Sequence, residues 1–230
     1  MLLFYTECEV RQYEEDSGGT VEKLCFALNN GIETSAVRQL RAPYDASGRL
    51  RDLVFIGRLE KKACLELIIE ALATDRCSKV SLDVIGGGPD VGRLKSLAVS
   101  LGVDPRVHWH AGTIDEKKIA SVMNRSKLFI YPGSVGLSLI HGLSYGLPAI
   151  IHGNRRTHMP ECCAFKKGIN GFDFEEGSVS SLSDVISAAL SDTSRLSAMS
   201  ESALNLIDRT YNAEDMCNRF CDVVARIEAA

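Results

Sequence analysis

Short apolar runs alternate with longer amphipathic stretches along most of this chain. Residues 52–56, 80–85, 107–110, 128–131 and 149–151 are rich in Val, Ile, Leu, Phe and Trp and are bounded by glycine, proline or polar residues. That is the signature of strands buried on both faces. Between them, helical spacing predicts helices over 61–73, 89–101 and 116–124 and from Gly136 to about Tyr145, the last stopped by Gly146-Leu147-Pro148. Strand and helix alternating in units of about 30 residues predict an α/β fold: a Rossmann-like parallel sheet with helices on both faces. Upstream, the pattern gives a strand at 2–5, a charged helix at 7–15, a loop at 17–20 and a strand at 23–28. That strand ends in Asn29-Asn30-Gly31; a helical turn at 33–41 and a polar link at 44–51 follow. Downstream come a long loop with a short helix at 161–166, a strand at 172–174, and helices at 178–190, 194–207 and 213–228.

With 230 residues, 45% of them hydrophobic and 24% charged, the chain can build one large domain with a sizeable core. A net charge of −4 argues against a nucleic-acid partner held by a basic face. No apolar run approaches the ~20 residues of a membrane span. The opening MLLFYTECEV is too short and too acidic for a signal peptide. The expected location is cytoplasmic, unless a further segment carries an address. Eight cysteines at 8, 25, 64, 77, 162, 163, 217 and 221 form no C-x-x-C pair and read as reduced, mostly small core residues. Cys162, Cys163 and His158 fit no zinc spacing, and no metal is expected.

The chemistry concentrates at the ends of the strands. Strand 128–131 runs into Pro132-Gly133-Ser134 and then a helix. Free amides and the helix dipole there suit a phosphate; a tight strand-to-helix turn that needs glycine for geometry alone is the equal alternative. Gly57-Arg58-Leu59, with Lys61 and Lys62 behind, follows the 52–56 strand, where an open α/β sheet places its ligand; a solvated basic loop is the competing reading. Gly86-Gly87-Gly88-Pro89 closes the next strand without forming a G-x-G-x-x-G fingerprint. Gly112-Thr113-Ile114 ends the strand carrying His108 and His110 on one face and Trp109 on the other. Packed or solvated histidines are favoured there over a metal pair. Four glycine-bearing turns on one sheet edge favour an anionic, nucleotide-like ligand.

In order, the segments NNGIE, FIGRLEKK, LDVIGGGPDVGRLKSLAVSLGV, VHWHAGTI, LFIYPGSVGLSLIHGLSYGLPAI and PECCAFKKGINGF resemble the donor-binding half of GT-B glycosyltransferases. The similarity is to the retaining "group 1", or family 4, enzymes, and IIHGNRRTHMPE is similar to those that build bacterial surface polysaccharides. It spans about residues 22–190. It implies a donor domain over 22–210, with 1–21 an interdomain connection or amino-terminal extension and 211–230 a crossover helix. The resemblance places Arg58 on the donor diphosphate. The family's lysine position falls on Ala63, so Lys62 is the substitute. Gly57 and Gly87 lie in the flanking turns, Gly112, Thr113 and Ile114 at the base, and Ser134, Val135, Gly136, Leu137 and Ser138 at the phosphate and sugar. Two glutamates usual in the family fall on Gly133 and His141; His141 could still hydrogen-bond the ribose, while Gly133 has nothing to offer the sugar. Glu161 matches a glutamate of the next loop, near the donor or simply opening a helix.

The resemblance therefore implies a nucleotide-sugar donor of UDP or GDP type, no cofactor, and a polysaccharide or lipid-linked acceptor. It also implies an acceptor domain absent from this chain and peripheral membrane association of the parent. A stripe of Met216, Phe220, Val223 and Ile227 either packs on its own domain, stays partly exposed or pairs with a second copy. The rival from another class is a degenerate donor module kept for assembly. An NAD-binding domain is disfavoured, because the glycine fingerprint is missing.

Overall fold

The computed structural model describes residues 1–18 and 23–228. Two small strands come first, β1 (Leu2–Phe4) and β2 (Cys25–Ala27), which pair in parallel around α1 (Glu7–Asp16). Thr6 caps α1: its amide donates to Glu9 Oε2 at 2.9 Å, the Glu9 half of a capping box. The boundary expected at 21/22 lies outside the described residues, between α1 and β2. Residues 17 and 18 form a turn; the rest of the expected 17–20 loop is likewise outside the described residues.

After α2 (Ser35–Leu40) come β3 (Arg51–Ile56), α3 (Glu66–Leu72), β4 (Leu82–Gly86), α4 (Val91–Ser100), β5 (Val107–Ala111), α5 (Glu116–Met123), β6 (Ser126–Tyr131), α6 (Leu137–Ser144), β7 (Ala149–His152) and β8 (Gly171–Phe174). These six strands form one parallel sheet in the order β5-β4-β3-β6-β7-β8. Leu53, Val54, Phe55, Leu82, Val84, Leu128, Phe129, Ile130, Ala149 and Ile150 are almost wholly buried, as the continuous apolar runs require. The strand order reverses between β3 and β6, so their carboxyl ends flank the crevice where such sheets bind ligands.

The helix expected over 61–73 is broken. A 3-10 turn covers Lys61–Ala63, Cys64 takes a left-handed conformation at φ 51°, and the α-helix starts only at Glu66. The helical spacing runs unbroken through this segment. The break comes instead from the tertiary fold, because the carbonyl of Lys62 is turned to the loop after β6. The short helix expected at 161–166 is a 3-10 turn over Pro160–Ala164.

Helices α7 (Val179–Ser191), α8 (Thr193–Arg209) and α9 (Ala213–Glu228) close the chain. α9 returns to the small β1–α1–β2 unit: Arg219 pairs with Glu7 at 3.2 Å and Arg226 lies over the Phe26 ring. Its stripe is divided, with Val223 buried and Phe220 and Ile227 half exposed. The chain thus passes between the small unit and the large sheet twice, and the two passages pair in parallel at Ile32 and Asn212.

One expectation about cysteine is overturned. Cys8 of α1 and Cys163 of the 160–164 turn form a disulfide, with Cα atoms 5.9 Å apart. The fold brings together two residues 155 positions apart, a proximity that the absence of a C-x-x-C pair does not bear on. Cys163 is therefore no thiolate ligand for zinc. The other six cysteines are free. Among the described residues no helix is long and apolar enough to cross a membrane.

Candidate functional site

Beside the crevice between β3 and β6, the exits of β3 and β4 are bonded to each other. Gly57 donates to the Ile85 carbonyl at 3.0 Å and Leu59 to the Gly87 carbonyl at 2.9 Å, so the β3 exit lies across the β4 exit. A Cβ on Gly86 would stand 2.1 Å from the Gly57 oxygen. That glycine is required by the backbone at the β3 exit, without any ligand. Gly87, in contrast, has open space where its Cβ would be, and Gly112 packs against it.

Arg58 and Lys62 stand at this edge with their charged ends in solvent. Both turn to Glu60: Arg58 Nε at 3.7 Å and Lys62 Nζ at 3.2 Å. Exposed pairs of this kind are weak, so Glu60 holds neither cation firmly and both are free to meet another anion. Ala63 itself, the position of the family's lysine, is fully buried.

Across the crevice, Ser134 donates its amide to the Lys62 carbonyl at 3.1 Å, and Val135 donates its amide to His158 Nδ1 at 3.2 Å. Two of the amides expected to face phosphate are thereby spent on the protein. Leu137 and Ser138, at the start of α6, are in the first turn, where backbone amides lack helix acceptors, and among the described residues neither amide donates elsewhere. They are left to meet an anion together with the helix dipole. Glu161 is buried beside this loop: its Oε1 accepts from Asn30 Nδ2 at 2.6 Å, and its Oε2 would lie 3.4 Å from a Cβ on Gly136.

His158 holds the loop from behind. Its Nε2 donates to the His152 carbonyl at 3.0 Å while Nδ1 accepts from Val135, which fixes one neutral tautomer. Its ring stacks on His152 with centroids 3.8 Å apart. Burial pushes the His158 pKa down to about 4, helped by the charge of Arg155 and opposed by Glu176. The unfolded chain protonates near 6.5 and the folded one only near 4. The contribution of His158 to stability is complete above 6.5 and is lost as pH falls through that window. Urea midpoints measured from pH 7 to pH 4 are expected to fall more steeply for the native chain than for His158→Asn.

At the β5 exit, Ile114 is fully exposed and Thr113 Oγ1 accepts from the Asp115 amide at 3.0 Å. Asp115 caps α5, and the next residue, Glu116, was not among the residues the sequence singled out. Glu116 Oε1 accepts from His141 Nε2 at 2.9 Å and from the Tyr145 hydroxyl at 2.5 Å. Burial opposes ionisation of Glu116, but these hydrogen bonds outweigh it and hold its carboxyl below the ordinary value. The position where the family carries an acid thus holds a histidine bonded to an acid from the neighbouring helix. At the other such position, Gly133, a Cβ would stand 2.0 Å from the Lys62 oxygen. Of the two β5 histidines, His110 is packed into an ion cluster: its Nε2 lies 2.6 Å from the buried Asp83 carboxylate, which Arg125 also contacts at 2.9 Å.

The chain matches the family model described as glycosyl transferases group 1 over residues 37–206. No curated protein matches it. Among solved structures it is similar to the lipopolysaccharide outer core galactosyltransferase WaaB, with a TM-score of 0.74 at 15% identity over 97% of this chain and 61% of that one. It is also similar to a glycosyltransferase from Rickettsia africae (TM-score 0.76, 14% identity, 98% of this chain and 62% of that one). A third similarity is to the C-terminal domain of a group 1 glycosyl transferase, LpcC, from Francisella tularensis (TM-score 0.64, 18% identity, 80% of this chain and all of that one). The chain spans about three fifths of the length of WaaB. The six-stranded parallel sheet, its crevice at the β3/β6 reversal and the match over most of the chain agree: the chain belongs to the glycosyl transferases group 1 family, and its fold is one half of a GT-B enzyme.

Proposed function

We propose that this chain is the donor-binding half of a retaining glycosyltransferase that moves a sugar from a UDP- or GDP-type nucleotide-sugar to a polysaccharide or lipid-linked acceptor. One observation carries the reading: Arg58 and Lys62 on one side of the crevice, and the amide-bearing start of α6 on the other, are joined through the Lys62–Ser134 bond. Cations and amides so placed meet the charge that grows on a leaving diphosphate, an electrostatic mode of catalysis. Ile114 offers an exposed apolar surface for the base, and the Glu116–His141 pair lies beside it for the ribose. In this mechanism the arginine, the lysine and the helix dipole do the work of a cation, and the acceptor is held chiefly by a further domain. The isolated chain then binds nucleotide weakly and transfers nothing.

The rival reading is a degenerate donor site kept for assembly, favoured by the absence of an acid at Gly133 and His141. Isothermal titration with UDP, GDP and ADP separates the two. One nucleotide is expected to bind, and Arg58→Ala to weaken it by about tenfold or more, the value of a charge-assisted bond to phosphate. If none binds at millimolar concentration, the assembly reading takes over.

A further inference from the structure

Beside the donor loop lies a cavity of about 820 Å³ between α1 and the 155–166 segment, a size usual for small-molecule sites. Its two walls differ in how their charges are met. On the α1 wall the acids are satisfied within their own helix: Glu9 Oε2 accepts from the Thr6 amide and hydroxyl, and Asp16 accepts from Gln12 at 2.9 Å. On the opposite wall Arg155 is fixed over the Phe165 ring and donates to Cys162 Sγ at 3.0 Å. Arg156 and Lys166 line the same wall, and among the described residues their side-chain cations have no hydrogen-bond or ion-pair partner. Exposed Met159 and neighbouring Pro160 add apolar surface of the kind that packs on the C–H face of a sugar.

The cavity and the donor loop share a wall. Met159 donates its amide to the Val135 carbonyl at 3.0 Å, His158 accepts from the Val135 amide, and Met159 Cγ would lie 3.1 Å from a Cβ on Gly136. The Cys8–Cys163 bond joins the two sides and holds their spacing.

We infer that this cavity is a subsite for an anionic saccharide, the acceptor sugar or one beside it, whose phosphate or carboxylate is held by Arg156 and Lys166. The role as acceptor subsite rests on the donor reading given above; the binding of an anionic sugar does not.

The test uses the whole chain, labelled with ¹⁵N, and four probes: glucose 6-phosphate, glucuronate, glucose and inorganic phosphate. UDP and GDP are titrated in a separate arm. Either anionic sugar, or both, is expected to shift the amides of residues 6–16 and 155–166, and whichever responds identifies the acid group. Glucose and inorganic phosphate are expected to bind about tenfold more weakly than the responding sugar. The double variant Arg156→Gln/Lys166→Gln changes two exposed side chains. It is expected to weaken the anionic sugar by about tenfold or more and to leave nucleotide binding unchanged. The inference is overturned if neither anionic sugar shifts these residues at tens of millimolar, or if glucose binds as well. It is also overturned if inorganic phosphate matches the sugar phosphate, or if the double variant binds as the native chain does. A failure of the donor reading looks different: the nucleotides leave the amides of 134–138 unmoved while the cavity still responds to its sugar.

Discussion

Reducing the Cys8–Cys163 bond is expected to lower the unfolding free energy by about 2–5 kcal/mol. The bond closes a loop with a sequence separation of 155 residues, and the chain entropy removed from the unfolded state grows with the logarithm of that length. Urea unfolding with and without dithiothreitol reads the loss directly. Cys8→Ser is expected to show the same deficit without reductant and no further change with it. Alkylation under denaturing, non-reducing conditions should label six of the eight cysteines. Eight labelled thiols in freshly purified protein would show that the bond does not form, and equal stabilities would show that it constrains nothing.

Gly133→Glu is expected to damage the chain rather than repair it. Any side chain at this position brings its Cβ to 2.0 Å from the Lys62 carbonyl oxygen and 2.7 Å from the carbonyl carbon of Ala63, backbone atoms that cannot rotate away. Relief requires separating the loop from the 61–63 turn, which breaks the Ser134–Lys62 bond. The cost is expected to be about 2–3 kcal/mol, typical of overpacking a filled site. Gly133→Ala should share most of it. Nucleotide affinity should fall alongside, because Lys62 moves with its turn. Denaturation of both variants checks the first claim and calorimetric titration the second. A Gly133→Ala protein within 0.5 kcal/mol of the native chain would refute the packing argument.

Much of the fold could be read in the sequence because the strands are buried on both faces and leave unbroken apolar runs, as at Leu53–Ile56 and Leu128–Tyr131. The edge that carries the site follows from parallel topology, and glycine turns mark it. What escaped the reading depends on partners far along the chain. Cys64 sits in a run with good helical spacing, and only contact with the Gly133 loop shows why the helix must break there. Glu116 looks like an ordinary first-turn acid that suits the α5 dipole, and its bonds to His141 and Tyr145 reach 25 and 29 residues ahead. Nothing local to His158 marks its task, which is to accept an amide proton from a loop 23 residues earlier. The sequence leaves the amides of Ser134 and Val135 free for the same reason: the groups that occupy them come from elsewhere in the chain.

The double passage between the small unit and the large sheet has a mechanical consequence. A single connecting segment would leave the small unit on a swivel. Here Ile32 pairs with Asn212, Ala213 donates its amide to the Ile32 carbonyl at 3.0 Å, and Gly31 lies so close to Tyr211 that a Cβ would stand 2.3 Å from its carbonyl carbon. Two strands of chain pressed together bend only as one strap, which resists twisting of the small unit about its connection. The Asn30–Glu161 bond lies one residue from that strap and ends beside Gly136. The Cys8–Cys163 bond ties the small unit to the 160–164 turn as well, so a tilt about the strap would pull on a covalent link and on the Asn30–Glu161 bond together.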